Sequence, residues 1–586
     1  MTMPTTHRTP AFPISELPGS LPTLPIPEDI DHVKIATQCL NCLASGDLTI
    51  ILEGGYWRDL LALTSTLCTF YSASRITTGW NDITHQDPPS NFSLIEGRSE
   101  VVKAGPVQWI QARFRFENGL EPKGKCLGIM RIVPTDDGGW KIWCLSTVLK
   151  GVEGWGDPDV FPEDLLEHQE TNGIRDCEGN GVNGTGTLGV DAVAAERFEE
   201  VGMNWTERYQ SLKLHTPKLL NSLPFNFIPP KDTPYYMSMQ DLGKYYKSFV
   251  KKYQLEENLW LSTTIESATW NDMTRSWKVG LKRHGEHVEI EARHILFCTG
   301  MTGRVPKMPE YANQELFKGN VLHAVDYRSS SQWAGKKGIV IGTANTAHDV
   351  AEDMMNAGIS VTMIQRERTN FYREGVDVTD VDMDFETSPI AIDRLIMKNL
   401  LAMAAKQDAA KFDALERAGF RVNREADLMH IIFERAGGHY LDVSVSKLIG
   451  DGKIKVKSGS APVSYAANGL KFDDGTELEA DIIVFATGYE GNMRLTASKI
   501  VEPKIAEKLD DCWQLDKEGE PRGAWKPIGR KVDQSEDPNV WYCPGDIALT
   551  RYHSRFLALQ IKAEVEGNPF IPYERVLSDE LPMECC

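Results

Sequence analysis

Apolar positions recur at helical spacing near the start of the chain. Val33, Ile35, Ala36, Cys39, Leu40 and Leu43 precede a break at Ser45-Gly46-Asp47, and this predicts a helix beginning near residue 30. A second helix is predicted over 56–63. From residue 82 the pattern turns strand-like. Residues 107–116 alternate in part, 124–133 follow a turn at Asn118-Gly119, and 140–149 follow Asp136-Asp137-Gly138-Gly139. Helices followed by a curled antiparallel sheet make a small α+β unit over residues 29–153. Residues 1–28, with Pro and Thr throughout, read as a disordered arm, and the Gly-, Asn-, Asp- and Glu-rich stretch 154–189 reads as a linker. From Val190 onward short apolar strands alternate with helical stretches, as a parallel α/β architecture requires.

Within that region Gly338-Ile339-Val340-Ile341-Gly342 is a buried-type strand ending in glycine. Thr343-Ala344-Asn345-Thr346-Ala347 then open a helix with Ala347, Val350, Ala351 and Met354 on one face. Strand, tight turn, helix and a further strand form the context in which a glycine turn binds a dinucleotide. The first glycine permits the turn, and free amides at the helix start face the pyrophosphate. Gly342, Asn345 and Thr346 are therefore candidate coenzyme contacts. Ala344 stands where a second glycine is usual, which adds a methyl at the point of closest approach. Arg366 ends the next strand, with Arg368 nearby and no carboxylate at the ribose-reading position; this favours NADP(H) over NAD(H).

A flavin site should precede this one, and only its later part can be read. Residues 190–195 read as a strand ending at Glu196, a carboxylate suited to a ribose, and Gly202, Trp205 and Arg208 follow. Gly179-Asn180-Gly181-Val182-Asn183-Gly184 matches the glycine motif by letters, but no convincing strand precedes it. Only Thr185, Gly186, Thr187 and Leu188 separate it from Gly189, scarcely one helical turn. The expectation is a first nucleotide-binding domain without its initial strand and glycine turn.

Bulk properties narrow the function classes. A chain of 586 residues exceeds one core, so several domains are expected. A formal charge of -20 disfavours nucleic acid as a partner. The 11 cysteines are scattered, which predicts reduced thiols in a cytoplasmic protein. Cys39 and Cys42 fit helix packing better than redox chemistry. No apolar run is long enough for a membrane span, and the 13 histidines show no metal-binding spacing, so no metal is expected.

Ser45-Gly46-Asp47, Tyr56-Trp57-Arg58-Asp59 and Trp140-Lys141-Ile142-Trp143, in that order of elements, resemble the nuclear-transport-factor-2-like cone fold. Members of that fold serve as enzymes, dimer contacts or lids, so a homodimer is one option it offers. Further along, Phe317-Lys318-Gly319-Asn320-Val321-Leu322-His323-Ala324-Val325-Asp326-Tyr327 resembles the F-x-G-x-x-x-H-x-x-x-Y signature of class B flavin-dependent monooxygenases. Phe485-Ala486-Thr487-Gly488-Tyr489 is similar to their F-A-T-G-Y, and Phe297-Cys298-Thr299-Gly300 to its companion segment. Arg208 to Pro217 resembles the stretch beside the isoalloxazine, and Pro544-Gly545-Asp546 with Arg551-Tyr552-His553-Ser554 resembles the closing flavin segment. The resemblance spans roughly 190–566 and leans to the flavin-containing and indole-3-pyruvate monooxygenases.

What this resemblance implies is an α/β protein with two Rossmann-like domains behind the cone. FAD would be held by 190–304 with 480–575, and NADPH by 305–479, before a tail at 576–586. It implies a small-molecule substrate and O2, with oxygen activated as a peroxide on the flavin. It assigns Glu196, Gly202, Trp205, Arg208, Thr299, Gly300, Thr487, Gly488 and Asp546 to the cofactor, His215 to catalysis, and His323 and Tyr327 to an interdomain hinge. The rival is a catalytically inactive or NADP-binding relative that has lost FAD and serves as an interaction protein.

Overall fold

In the computed structural model of the protein, residues 9–162, 174–175, 181–182, 188–300, 305–372, 381–528 and 538–573 are described. The glycine-rich letters at 179–184 lie largely outside these residues, as do 1–8 and the tail.

The N-terminal unit begins with helix α1 (His32–Ala44), capped by the Asp31 carboxylate, which accepts from the Lys34 amide at 2.9 Å. It buries Ala36, Cys39, Leu40 and Leu43. Burial pushes the Cys39 thiol up to about 12, with Cys42 adding to the effect, so this thiol is inert packing. Strands β1 (Ile51–Leu60) and β2 (Leu67–Tyr71), helix α2 (Ala73–Thr84), then β3 (Ser90–Ala104), β4 (Val107–Glu117), β5 (Gly124–Pro134) and β6 (Trp140–Val152) follow. The sheet order is β2-β1-β6-β5-β4-β3; β1 and β6 are parallel and the other neighbours antiparallel.

Residues 56–60, expected within a helix, are instead the end of β1, paired with β2 and β6 on its two edges. The cause is burial on both faces. Trp57 stacks on Phe70 at 4.6 Å on one side, while Arg58 is buried on the other, so the polar alternation that marks a strand is missing.

The arm also departs from expectation, because residues 9–28 are laid along the protein. Ile14 is fully buried, the Phe12 amide donates to Leu515 O at 2.8 Å, and the Tyr56 hydroxyl donates to Pro18 O. Prolines suit such a strap, since each removes freedom from the unfolded chain.

Beyond residue 188, β7 (Ala194–Ala195) pairs in parallel with β8 (Leu259–Trp260), and β9 (Ile295–Phe297) pairs in parallel with Val540–Tyr542. The strand expected over 190–195 is thus only two residues long. A three-stranded antiparallel sheet occupies 263–292. The chain crosses into the next body at β10 (Val305–Pro306). That body is a five-stranded parallel sheet built from β11 (Asn320–His323), β12 (Lys337–Ile341), β13 (Ser360–Gln365), Lys455–Ser458 and Ile482–Phe485. Helix α3 (Asn345–Asn356) links β12 to β13, and helix α4 (Ile390–Gln407) is followed by β14 (His439–Leu441). With the strands just given numbered β15 (Lys455–Ser458) and β16 (Ile482–Phe485), the sheet order is β11-β16-β12-β13-β15. The return strand β17 (Tyr489–Glu490) pairs antiparallel with β10, so the two crossings form one hinge. Strand β18 (Val540–Tyr542) then leads to helix α5 (Ile547–Val565). Among the described residues no strand joins β7 and β8 to β9 and β18.

Candidate functional site

The turn between β12 and α3 is the best-formed candidate. Gly342 has φ 128°, and a Cβ there would lie 2.4 Å from the Ala486 carbonyl oxygen, so only glycine fits. Ala344, at the N-cap, offers no side-chain cap to α3. The first amides of a 12-residue helix therefore face outward with the positive end of its dipole, a donor set that fits a pyrophosphate.

The side chains expected to help are partly engaged within the protein. Asn345 Oδ1 accepts from the Leu441 amide at 2.9 Å, and the Thr346 hydroxyl bonds to Tyr209. Arg366 is 77% exposed at the end of β13, 3.5 Å from Glu367, and so is free to reach a ligand. Arg368 is spent on the Val422 carbonyl at 2.9 Å.

The hinge lies at the C-terminal end of the same sheet. Thr487 Oγ1 donates to Lys307 O at 2.5 Å, and the Gly488 carbonyl accepts from His323 Nε2 at 3.0 Å. Because His323 Nδ1 accepts from the Val325 amide at 3.1 Å, the ring is the neutral Nε2–H tautomer. Burial lowers its pKa and favours that state. Tyr327 is fully buried and donates to Asp353 at 2.5 Å.

Of the residues assigned to flavin, Glu196 follows β7 and accepts from the Phe198 amide at 3.0 Å. Gly202 has φ 83° and crosses the helix Met239–Lys252 so closely that a Cβ would lie 2.8 Å from Gly243 Cα. The Arg208 guanidinium sits 5.3 Å from the Trp205 ring centroid. Thr299 and Gly300 are exposed just past β9, and Asp546 caps α5 by accepting from the Leu549 amide at 2.9 Å. The resemblance assigns these groups to a flavin site, and each has the local contact or exposure just given. A glycine-turn cradle for its pyrophosphate is not found among the described residues.

His215 does not stand open. Its Nε2 meets Asp349 Oδ1 at 2.7 Å and its Nδ1 meets the Leu441 carbonyl at 3.0 Å, with the side chain 3% exposed. Tyr209 donates to the other Asp349 oxygen at 2.8 Å. Asp349 thus ties the 209–217 loop to the first turns of α3. Sequence reading missed this residue, although a carboxylate beside the apolar stripe of a buried helix was a usable signal. His348, next to it, stacks on Tyr440 with ring centroids 3.6 Å apart.

Comparison with known proteins matches residues 193–507 to a family described as flavin-binding monooxygenase-like. A probable indole-3-pyruvate monooxygenase of Arabidopsis thaliana is 26% identical over 315 residues, which cover 52% of this chain and 70% of the relative. The indole-3-pyruvate monooxygenase of Oryza sativa subsp. japonica is 28% identical over 311 residues, covering 52% and 72%. Among solved structures, a variant flavin monooxygenase from Stenotrophomonas maltophilia aligns with TM-score 0.42 and 19% identity, over 64% of this chain and 90% of that one. A cyclohexanone monooxygenase from Rhodococcus sp. Phi1 bound to NADP+ aligns with TM-score 0.42 and 16% identity, over 64% and 79%. The family match takes in more than half of the residues, and the chain belongs to the flavin-binding monooxygenase-like family.

Proposed function

We propose that this protein is an NADPH- and FAD-dependent monooxygenase that places one oxygen atom of O2 in a small organic molecule of specialised metabolism. The observation that carries the reading is the uncapped start of α3 behind Gly342, set in a parallel sheet whose return crossing, between β16 and β17, carries Thr487 and Gly488. FAD, when bound, supplies the activation of dioxygen. The chain's own residues do the rest. The α3 amides hold the NADPH pyrophosphate and Arg366 pairs with its 2′-phosphate. Glu196, Gly202, Trp205, Arg208, Thr299, Gly300 and Asp546 form the rims that hold the flavin. His215 is a positioning residue, because its contacts run to Asp349 and Leu441 and it acts through the turn at α3. The N-terminal unit, in our reading a nuclear-transport-factor-2-like cone, serves as a fixed support. The described cysteines are free thiols and no described helix is long and apolar enough to cross a membrane, which supports a cytoplasmic setting.

Purified full-length protein tests the reading. We expect a flavin absorbance band at near-stoichiometric FAD, with NADPH oxidation that requires O2. A colourless protein that stays so at saturating FAD would overturn this reading in favour of the interaction protein. The coenzyme assignment has its own test. Arg366→Ala should raise the KM for NADPH about tenfold or more, the worth of charge-assisted bonds to a phosphate, and leave that for NADH little changed. Equal changes for both coenzymes would remove the 2′-phosphate from Arg366.

A further inference from the structure

The strands β9 and β18 run parallel and in register, with Phe297 opposite Tyr542, and each is followed at once by a cysteine. The Cys543 amide donates to the Phe297 carbonyl at 3.0 Å, so the backbones stay side by side as they leave the sheet. Extending the register one step sets Cys298 opposite Cys543. In-register neighbours on parallel strands project to the same face, about 4.8 Å apart, inside the roughly 4.4–6.8 Å Cα separation that a disulfide requires. The two side chains meet and hydrogen-bond to one another. Both are free thiols; Cys543 is buried and Cys298 is exposed at the strand end.

We propose that Cys298 and Cys543 are an oxidisable dithiol that closes into a reversible intramolecular disulfide between the ends of β9 and β18. The oxidant is hydrogen peroxide, the two-electron reduction product of dioxygen. The Cys298 sulfur, as thiolate, attacks one peroxide oxygen; the O–O bond breaks, water leaves, and Cys298 becomes a sulfenic acid. The Cys543 sulfur then attacks the Cys298 sulfur, the S–O bond breaks, and a second water leaves. Two thiols and one peroxide give one disulfide and two waters, each sulfur losing one electron. The division of roles follows from exposure, since Cys298 is exposed at the end of β9 and Cys543 is buried. Cys298 is thus the attacking sulfur and Cys543 the resolving one.

The bond would tie together the segments that lead into Thr299-Gly300 and Pro544-Gly545-Asp546. Any effect on flavin uptake rests on the proposed function, but formation of the bond does not. Failure of the functional reading shows as missing flavin in reduced protein, and failure of this inference shows in the peptide map.

Full-length protein is titrated with hydrogen peroxide, its remaining thiols are alkylated, and it is digested with trypsin without reductant. The expected product joins the peptide 294–304 to the peptide 532–551, with loss of two alkylatable thiols and full reversal by dithiothreitol. Cys512 packs against Met493, with sulfurs 3.7 Å apart, and is the nearby competitor; Cys512→Ser should leave the product intact. Cys543→Ser should strand the sulfenic acid on Cys298, where dimedone traps it, whereas the unaltered protein gives little adduct. Three results would overturn the proposal: a cross-link from Cys543 to Cys512, over-oxidation of Cys298 with no linked peptide, or equal dimedone labelling with and without Cys543.

Discussion

Replacing Arg58 by Ala is expected to cost about 3–5 kcal/mol of stability, read as a lowered urea midpoint at constant slope, because it strands a buried carboxylate. Arg58 and Glu520 form a two-point pair, Nε to Oε1 at 2.7 Å and Nη2 to Oε2 at 2.8 Å, with side chains 3% and 1% exposed. Burial opposes a charge on Arg58, and the carboxylate of Glu520, with Glu386 and Asp393, more than offsets it, so the guanidinium is held charged. Its Nη1 also donates to the carbonyls of Glu386 and Ser388 at 2.8 and 2.9 Å, and Thr69 donates to Glu520 at 2.6 Å. Glu520→Ala should cost as much, since it leaves the cation unpaired. An Arg58→Met, Glu520→Leu double variant should regain part of the loss by removing both charges. It cannot regain all of it, because the Glu386 and Ser388 carbonyls still lose a donor. Single variants that each cost less than about 1 kcal/mol, as exposed pairs do, would mean that the face around Arg58 is wet and the two units are only loosely joined.

That pair is the centre of a wider contact. Arg131 donates to Ser388 Oγ at 2.8 Å, Arg113 to Asp384 at 2.7 Å, and Ser146 to the Thr387 carbonyl at 2.9 Å. One sheet face of the N-terminal unit thus grips the chain just before α4. The termini close the same joint from both ends: the arm crosses to Leu515, and beyond α5 the Tyr573 amide donates to Thr64 O at 2.8 Å. The first unit is built into the oxygenase half, which supports its reading as a fixed support.

What the sequence made legible were local periods and local turns. Helix α1, strands β4 to β6 and the β12–α3–β13 unit follow from apolar spacing, and Gly342 from the steric demand of its turn. Residues 56–60 were not legible, because a strand buried on both faces carries no alternation. The arm was not legible because its anchors, Glu434 and Leu515, lie hundreds of positions away. The same distance hid Asp349 as the partner of His215, 134 residues earlier, and Glu520 as the partner of Arg58. A single chain shows which side chains carry charge; which of them meet is set by tertiary packing. Cys298 and Cys543 were visible as letters, but their pairing needed the register of β9 and β18.

Acid should unfold the coenzyme half well before its carboxylates are fully protonated, and His348 is the reason. The ring is fully buried beneath Tyr440, and one nitrogen, Nδ1, bonds the Ala344 carbonyl at 3.1 Å, so it serves as a neutral donor at the foot of α3. Burial lowers its pKa from 6.5 to about 3, with the neighbouring His215 adding to the effect and the Ala344 carbonyl and Asp442 opposing it. His439, on β14, is lowered to about 4 by burial and His215. The sign follows from proton counting. Above pH 6.5 both rings are neutral folded and unfolded, and nothing is lost. Between 6.5 and the folded value, about 3 for His348 and about 4 for His439, the unfolded chain takes up protons that the folded chain refuses, so stability falls with pH by up to about 1.4 kcal/mol per unit for each ring. For His348 alone the full loss is on the order of several kcal/mol. Urea midpoints measured from pH 7 to pH 4 should therefore fall steadily. His348→Phe keeps the stack on Tyr440 without a titrating nitrogen, and His348→Asn keeps a donor for Ala344; both should flatten the profile even if they lower its neutral-pH value. A profile with the same slope in both variants would show that the proton uptake belongs to other groups, and that the base of α3 takes no part in the acid response.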